Sequence, residues 1–208
     1  MALPATDNFN RANGGLGANW AIIAGNAQIV SNVVQTEFVG TDSSSRWNTD
    51  TFANDQYAQI TAVAAVTGTT RLVGALLRGS AVATTFYACS ARGPLGASAT
   101  AEIRKNIAGS TTVLSSGTAT IAANDLVKGT VIGTTIALLI NGVSNRSTTD
   151  SAIASGSAGL FVFVDTGAET DAKIDNWEGG NVAAVTDTGE WRGCAPAAKR
   201  MTWPSAMY

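Results

Sequence analysis

Residues 157–180, SAGLFVFVDTGAETDAKIDNWEGG, constrain the fold more tightly than any other stretch. Leu160, Val162 and Val164 alternate with Phe161 and Phe163, so an extended segment here is apolar on both faces. Such a strand needs apolar material on each side, which makes it a central strand of a layered β structure. Residues 165–169 supply turn chemistry, since Gly167 tolerates a positive φ and Asp165 can bond its own backbone. The chain resumes with Ala172, Ile174 and Trp177 and stops at Gly179-Gly180, so the whole stretch is expected to be a closing core hairpin. Phe161 and Phe163 are both expected to be substantially buried, one of them lining a concave groove.

The rest of the chain repeats the same kind of unit. Phe9 and Trp20 bracket the turn-rich NRANGGLGAN, in which Leu16 is the expected inward anchor. Residues 20–24, 27–30 and 33–38 read as a meander with a tight turn at Ser31-Asn32, and residues 39–50 as a polar loop carrying Trp47. Three sequential strands follow at 56–66, 71–78 and 85–92. A pair at 100–108 and 111–115 surrounds Ala108-Gly109, and segments 126–132, 135–140 and 143–147 are divided by Gly133-Thr134 and Asn141-Gly142. Asn-Gly between apolar runs is the strongest of these hairpin signals. No ten-residue window sustains an amphipathic helix, because Gly, Thr and Val interrupt each one, which leaves only a turn near Asn124-Asp125.

Many short strands spaced by about 8–12 residues define an all-β, two-sheet antiparallel sandwich. A chain of 208 residues holds one such domain and an appendage. The domain is assigned to residues 1–180. Residues 181–208, NVAAVTDTGEWRGCAPAAKRMTWPSAMY, show no period and read as an extended C-terminal arm.

Charge narrows the partners. Only 13% of residues are charged and the net charge is -2, with a pI near 5.0, so no broad positive field draws nucleic acid or an anionic membrane. The N-terminus lacks a basic segment followed by an apolar one, and no apolar run reaches the roughly 20 residues of a membrane helix, so the chain is expected to be made in the cytoplasm. Cys89 and Cys194 are then expected to be free thiols. The absence of His removes Ser-His-Asp and Cys-His nucleophilic sites and every zinc site built on imidazole.

Five pieces in order, DNFNRANGGLGANW, QYAQITA, LVGALLR, INGV and GSAGLFVFVDTGAETDAKIDNWEGG, together resemble the concanavalin A-like, laminin G-like jelly-roll domain. The resemblance spans residues 7–180 and implies two curved antiparallel sheets. Its members include carbohydrate-binding modules, glycanases, adhesion domains and structural proteins of phage particles, so it implies an architecture and leaves activity open.

Jelly-roll glycanases set acids at alternate positions of a strand facing the groove, and Glu169, Asp171 and Asp175 are the nearest match. The second Glu of that pattern is missing, and Glu169 and Asp171 fall where a solvated turn is expected, so no enzyme is expected. Related domains often bind calcium near the chain ends, where Asp7 and Asp175 can approach one another. Two acids fall short of the about six to eight oxygens calcium takes, and no cofactor is otherwise expected. Trp47 is either a lid on the core or, with the Asn and Asp residues of its loop, a glycan contact, while Tyr57 and Tyr87 belong to strand patterns and are expected to be core or half-buried.

The arm carries Trp191, Arg192, Lys199, Arg200, Trp203 and Tyr208, residue types that anchor protein interfaces and are scarce in disordered tails. These features lead to an expected function as a noncatalytic structural protein of a virion, a phage capsid decoration or cement protein made in the host cytoplasm. Its arm would hold the major capsid protein, another virion protein or a second copy of the chain. The alternative is a carbohydrate-binding, lectin-like module with a glycan partner, placed on a phage tail or fibre.

Overall fold

The computed structural model describes residues 3–63 and 71–182. Among them sixteen strands follow one another: β1 (Ala5–Asp7), β2 (Gly14–Gly15), β3 (Trp20–Ala24), β4 (Ala27–Val30), β5 (Val33–Thr36), β6 (Ser43–Trp47), β7 (Gln56–Ala62), β8 (Arg71–Gly79), β9 (Phe86–Arg92), β10 (Gly96–Ile107), β11 (Ser110–Ile121), β12 (Leu126–Ile132), β13 (Thr135–Ile140), β14 (Val143–Thr149), β15 (Ser157–Val164) and β16 (Ile174–Asn181). One turn of 3-10 helix, Glu169–Asp171, precedes β16. The hairpin turns obey their sequence signals: Ser31 and Asn32, Ala108 and Gly109, and Asn141 and Gly142 all take positive φ, as two-residue turns matched to strand twist require.

The strands form an all-β, two-sheet antiparallel jelly-roll sandwich. One sheet runs β14-β13-β12-β7-β16-β5-β4-β2, with β1 also paired to β16, and the other runs β11-β10-β9-β8-β15-β6-β3. Alternation along each strand builds the core between them. Val73, Ala75 and Leu77 of β8 meet Leu160, Val162 and Val164 of β15 on one side, and Ile60, Val127, Ile136, Ile174 and Trp177 close it from the other sheet. The indoles of Trp20, Trp47 and Trp177 pack with ring centroids 4.8–5.3 Å apart and join the sheets near β1. Each buried indole N–H finds an acceptor: Asp7 for Trp20, Asp50 for Trp47 and the Gly159 carbonyl for Trp177.

Arg78 ties three loops together at one end of the sandwich. Its Nε donates to the Asn54 carbonyl at 3.0 Å, and Nη1 and Nη2 donate to those of Ile153 and Gly133 at 2.8 Å each. Gln56 accepts from the Arg78 amide and donates to Ala53 and Gly156.

Four expectations change. Residues 157–180 are not a hairpin: β15 lies between β8 and β6, whereas β16 pairs with β7 in the opposite sheet, so the turn between them crosses the sandwich. The doubly apolar β15 is central, but its sequence neighbour serves the other layer. Residues 20–38 are not one meander, because β3 joins the sheet of β6 while β4 and β5 join that of β16. The loop at 39–50 contains β6, whose Ser43, Ser44 and Ser45 are fully buried. Small side chains suit that position, since β6 lies so close to β15 that a Cβ at Gly159 would run into the Ser45 carbonyl. Finally, β16 extends one residue past 180: the Asn181 Oδ1 accepts from the Ala53 amide, and the Val182 amide donates to the Asp55 carbonyl. The remainder of the arm lies outside the described residues.

Candidate functional site

The polar positions of β7 give the site its first wall. Ala58, Ile60 and Ala62 enter the core, which turns Tyr57, Gln59 and Thr61 to the outer face. Antiparallel register sets Glu178 of β16 and Lys128 of β12 beside Gln59, Thr6 of β1 beside Glu178, and Leu126 and Asp175 beside Thr61. Between Asp175 and Glu178 the ladder is broken by a bulge at which Asn176 adopts φ 48°. The result is an open cleft of about 430 Å³, lined by the side chains or backbone of Thr6, Asp7, Asn8, Gln59, Thr61, Leu126, Asn176, Trp177 and Glu178.

One carboxylate in this cleft is held in place. Tyr57 donates its hydroxyl to Glu178 Oε1 at 2.7 Å, and the Lys128 ammonium stands 3.9 Å from the centroid of the same ring. The other edge of the ring rests on Gly180, where a Cβ would come within 2.8 Å of the ring carbons. Burial, reinforced by the hydrogen bond to Glu178 and its charge, pushes the Tyr57 phenol up to about 12, so it stays a proton donor across the physiological range. By contrast, Thr6, Gln59 and Thr61 make no side-chain hydrogen bond with other described residues, which leaves their donors and acceptors unengaged. Neutral amide and hydroxyl groups around one fixed carboxylate suit recognition of an uncharged, hydroxyl-rich ligand.

The residues singled out from the sequence lie elsewhere or are committed. Asp7 edges the cleft, but its carboxylate accepts from both Nη atoms of Arg11, from Trp20 Nε1 and from the Phe9 amide. Burial alone would raise its pKa; the hydrogen bonds from Arg11, Trp20 and Phe9, with the guanidinium charge, outweigh it and hold the carboxyl below its ordinary value. Asp175 bonds the amide and side chain of its neighbour Asn176. The two acids suggested for calcium are therefore engaged locally, and among the described residues no group of three or more His, Cys, Asp or Glu is placed to hold a metal ion.

Trp47 offers no ring face to a sugar, because it is 1% exposed inside the indole cluster. Asp171 is not merely a solvated turn residue: it accepts from Arg71 Nε at 3.0 Å and from the Ala168 amide. The Trp191, Arg192, Lys199, Arg200, Trp203 and Tyr208 set lies outside the described residues. Gln59, Thr61, Lys128 and Glu178 went unremarked in the sequence, although the alternation QYAQITA marks a polar outer face.

With β1 and β16 paired and a cleft on one outer face, the architecture is an antiparallel jelly-roll sandwich. No family model matches the chain, and no curated protein does. Among solved structures it is similar to the carbohydrate-binding module CBM66 from Bacillus subtilis, with 19% identity and a TM-score of 0.58 over 81% of this chain and 96% of that one. The exoplasmic/lumenal domain of VIP36, in a Ca2+/Man-bound form, aligns at 10% identity and TM-score 0.56 over 83% and 86% of the two chains. An endo-β-1,3-glucanase from Pyrococcus furiosus aligns at 10% identity and TM-score 0.54 over 84% and 92%. At these identities the likeness is one of fold.

Proposed function

We propose that the chain is a noncatalytic carbohydrate-binding module and that its glycan sits in the cleft between β1, β16 and β7. The observation that carries this reading is the unengaged set Thr6, Gln59 and Thr61 around an open cleft, beside a Glu178 held by Tyr57. A sugar ring presents vicinal hydroxyls, each a donor and an acceptor, to which amides and a fixed carboxylate bind in pairs. Fold neighbours that bind carbohydrate support the ligand class. Binding without cleavage is supported by the state of the acids: Asp171 is held by Arg71, and Glu178 is anchored with no second free carboxylate among the cleft's side chains. The virion reading rests on the missing catalytic groups, the neutral composition, the aromatic segment 181–208 and the family resemblance, and the glycan reading is preferred because it has a site.

A glycan array is the test. The full chain should retain neutral oligosaccharides, Gln59→Ala and Glu178→Gln should each weaken binding by about tenfold through loss of one or two hydrogen bonds, and no new reducing ends should appear. An array without signal, or variants that bind like the parent, would overturn the assignment.

A further inference from the structure

A second hollow opens on the far side of β1 from the glycan cleft. It measures about 380 Å3, and Thr6 and Asp7 of β1 wall it as they wall the cleft of about 430 Å3. Among the described residues β1 pairs with β16 alone, so its other edge is left to this hollow. Gly17, Ala18 and Asn19 form the opposite wall. Their backbone is fixed: the Trp20 amide donates to the Gly17 carbonyl at 3.1 Å, closing a turn in which Gly17 takes φ 87°, and the Asn19 carbonyl accepts from the Asn48 amide at 2.8 Å. Arg11 joins the two walls by donating from both Nη atoms to Asp7 and from Nη2 to the Leu16 carbonyl.

The hydrogen-bonding capacity of this hollow is only partly spent. Of the five N–H donors of the Arg11 guanidinium three are used, which leaves Nε–H and one hydrogen on Nη1 unengaged among the described residues. The Nε lies beside Gly17, where a Cβ would stand 4.0 Å from it. The Asn19 amide side chain, with two donors and an acceptor, likewise has no partner among the described residues. Arg11 and Asp7 neutralise one another, so the hollow offers donors and acceptors without net charge, as the first cleft offers Thr6, Gln59 and Thr61.

We infer that the glycan is a linear, uncharged oligosaccharide of at least two sugar units that crosses β1, one unit in the cleft beside Glu178 and the next in the hollow against Asn19 and Arg11. The inference rests on the glycan reading of the cleft and adds a length and a direction to it. Each space alone falls within the about 300–1,000 Å3 that holds a small ligand, so a single sugar ring leaves one of them unfilled. Only β1 separates them, and neighbouring strands lie about 4.8 Å apart, a gap that one glycosidic step covers. Asn19 and Arg11 are then residues that select for chain length, whereas Gln59 and Glu178 serve a ligand of any length.

A length series provides the test. The neutral oligosaccharide best retained on the array, and its forms shortened to one, two and three sugar units, are titrated into isotope-labelled full chain. Two units should bind about tenfold or more tighter than one, and resonances of Ala18 and Asn19 should shift with two units but not with one. Asn19→Ala, which keeps the backbone bond to Asn48, should weaken the two-unit form about tenfold and leave the single unit unchanged. Ala18→Trp, which fills the hollow from an exposed position, should do the same by exclusion. Unchanged binding of the single unit reports in each case that the variant is folded. One unit binding as tightly as two, with Gln59→Ala weakening both, would overturn the crossing of β1 and leave the cleft assignment standing. Variants at Ala18 and Asn19 that bind two units like the parent would also overturn it, and no saturable binding at any length would overturn both.

Discussion

Replacing Arg78 by Met should remove the tie between three loops while keeping the aliphatic stem and leaving the backbone, at φ 49°, as strained as before. Three hydrogen bonds from a charged donor are lost, to Asn54, Ile153 and Gly133. They do not count equally. Asn54 and Gly133 are exposed residues whose carbonyls recover water, whereas Ile153 is 5% exposed and its carbonyl does not. A hydrogen bond to a charged group contributes about 1.5–3 kcal/mol, so one full loss and two partial ones sum to about 3 kcal/mol. The saving from no longer burying a guanidinium keeps the total from rising further. With a urea slope of about 2 kcal/mol per molar, the unfolding midpoint should fall by about 1.5 M at constant slope. Arg78→Lys should recover only part, because a single ammonium cannot span three carbonyls. A midpoint shift under about 0.3 M in the Met variant would refute the tie's role.

Asp7→Asn should cost about 1.5 kcal/mol at neutral pH through loss of the charged bonds to Arg11. Because the folded carboxyl is held below 3.8, its stabilising effect is present above that value and is lost as pH falls through the depressed one. The stability gap between parent and Asn variant should therefore close in acid, and a gap constant with pH would contradict it. Gly159→Ala should destabilise by about 1–3 kcal/mol, since the new Cβ meets the β6 backbone rather than a yielding side chain; thermal melting reads this, and an unchanged melt would deny the close approach. Trp47→Ala should cost about 3–5 kcal/mol as a core cavity yet leave glycan affinity unchanged in whatever fraction stays folded. A selective loss of binding would instead restore Trp47 as a contact.

What could be read from the sequence was what the backbone itself demands. Ser31-Asn32, Ala108-Gly109 and Asn141-Gly142 announced their turns because few residues adopt positive φ, and β15 announced a central place through its two apolar faces. β6 was illegible because its buried positions are serines, chosen by close approach of strands and not by hydrophobicity. The link from β15 to β16 read as a hairpin because a hairpin and a crossing between sheets share the same turn residues; only pairing with β8 and β7 decides between them. Trp47 was legible as a lid on the core, but its polar flanks hide which neighbours, contributed by β3 and β16, it packs against. At the cleft, QYAQITA displayed its polar face plainly, but nothing local says that Glu178 of β16 and Thr6 of β1 lie beside it.

Mapping a bound sugar on the protein tests the glycan site most directly. The neutral oligosaccharide best retained on the array is titrated into isotope-labelled full chain, and amide and side-chain resonances are followed. Shifts should concentrate at Thr6, Gln59, Thr61 and Glu178 and saturate with one sugar per chain, and Gln59→Ala should weaken the saturation about tenfold. Shifts gathered on Phe163 and Arg104 of the opposite sheet, or no saturable shifts with any sugar, would contradict the site.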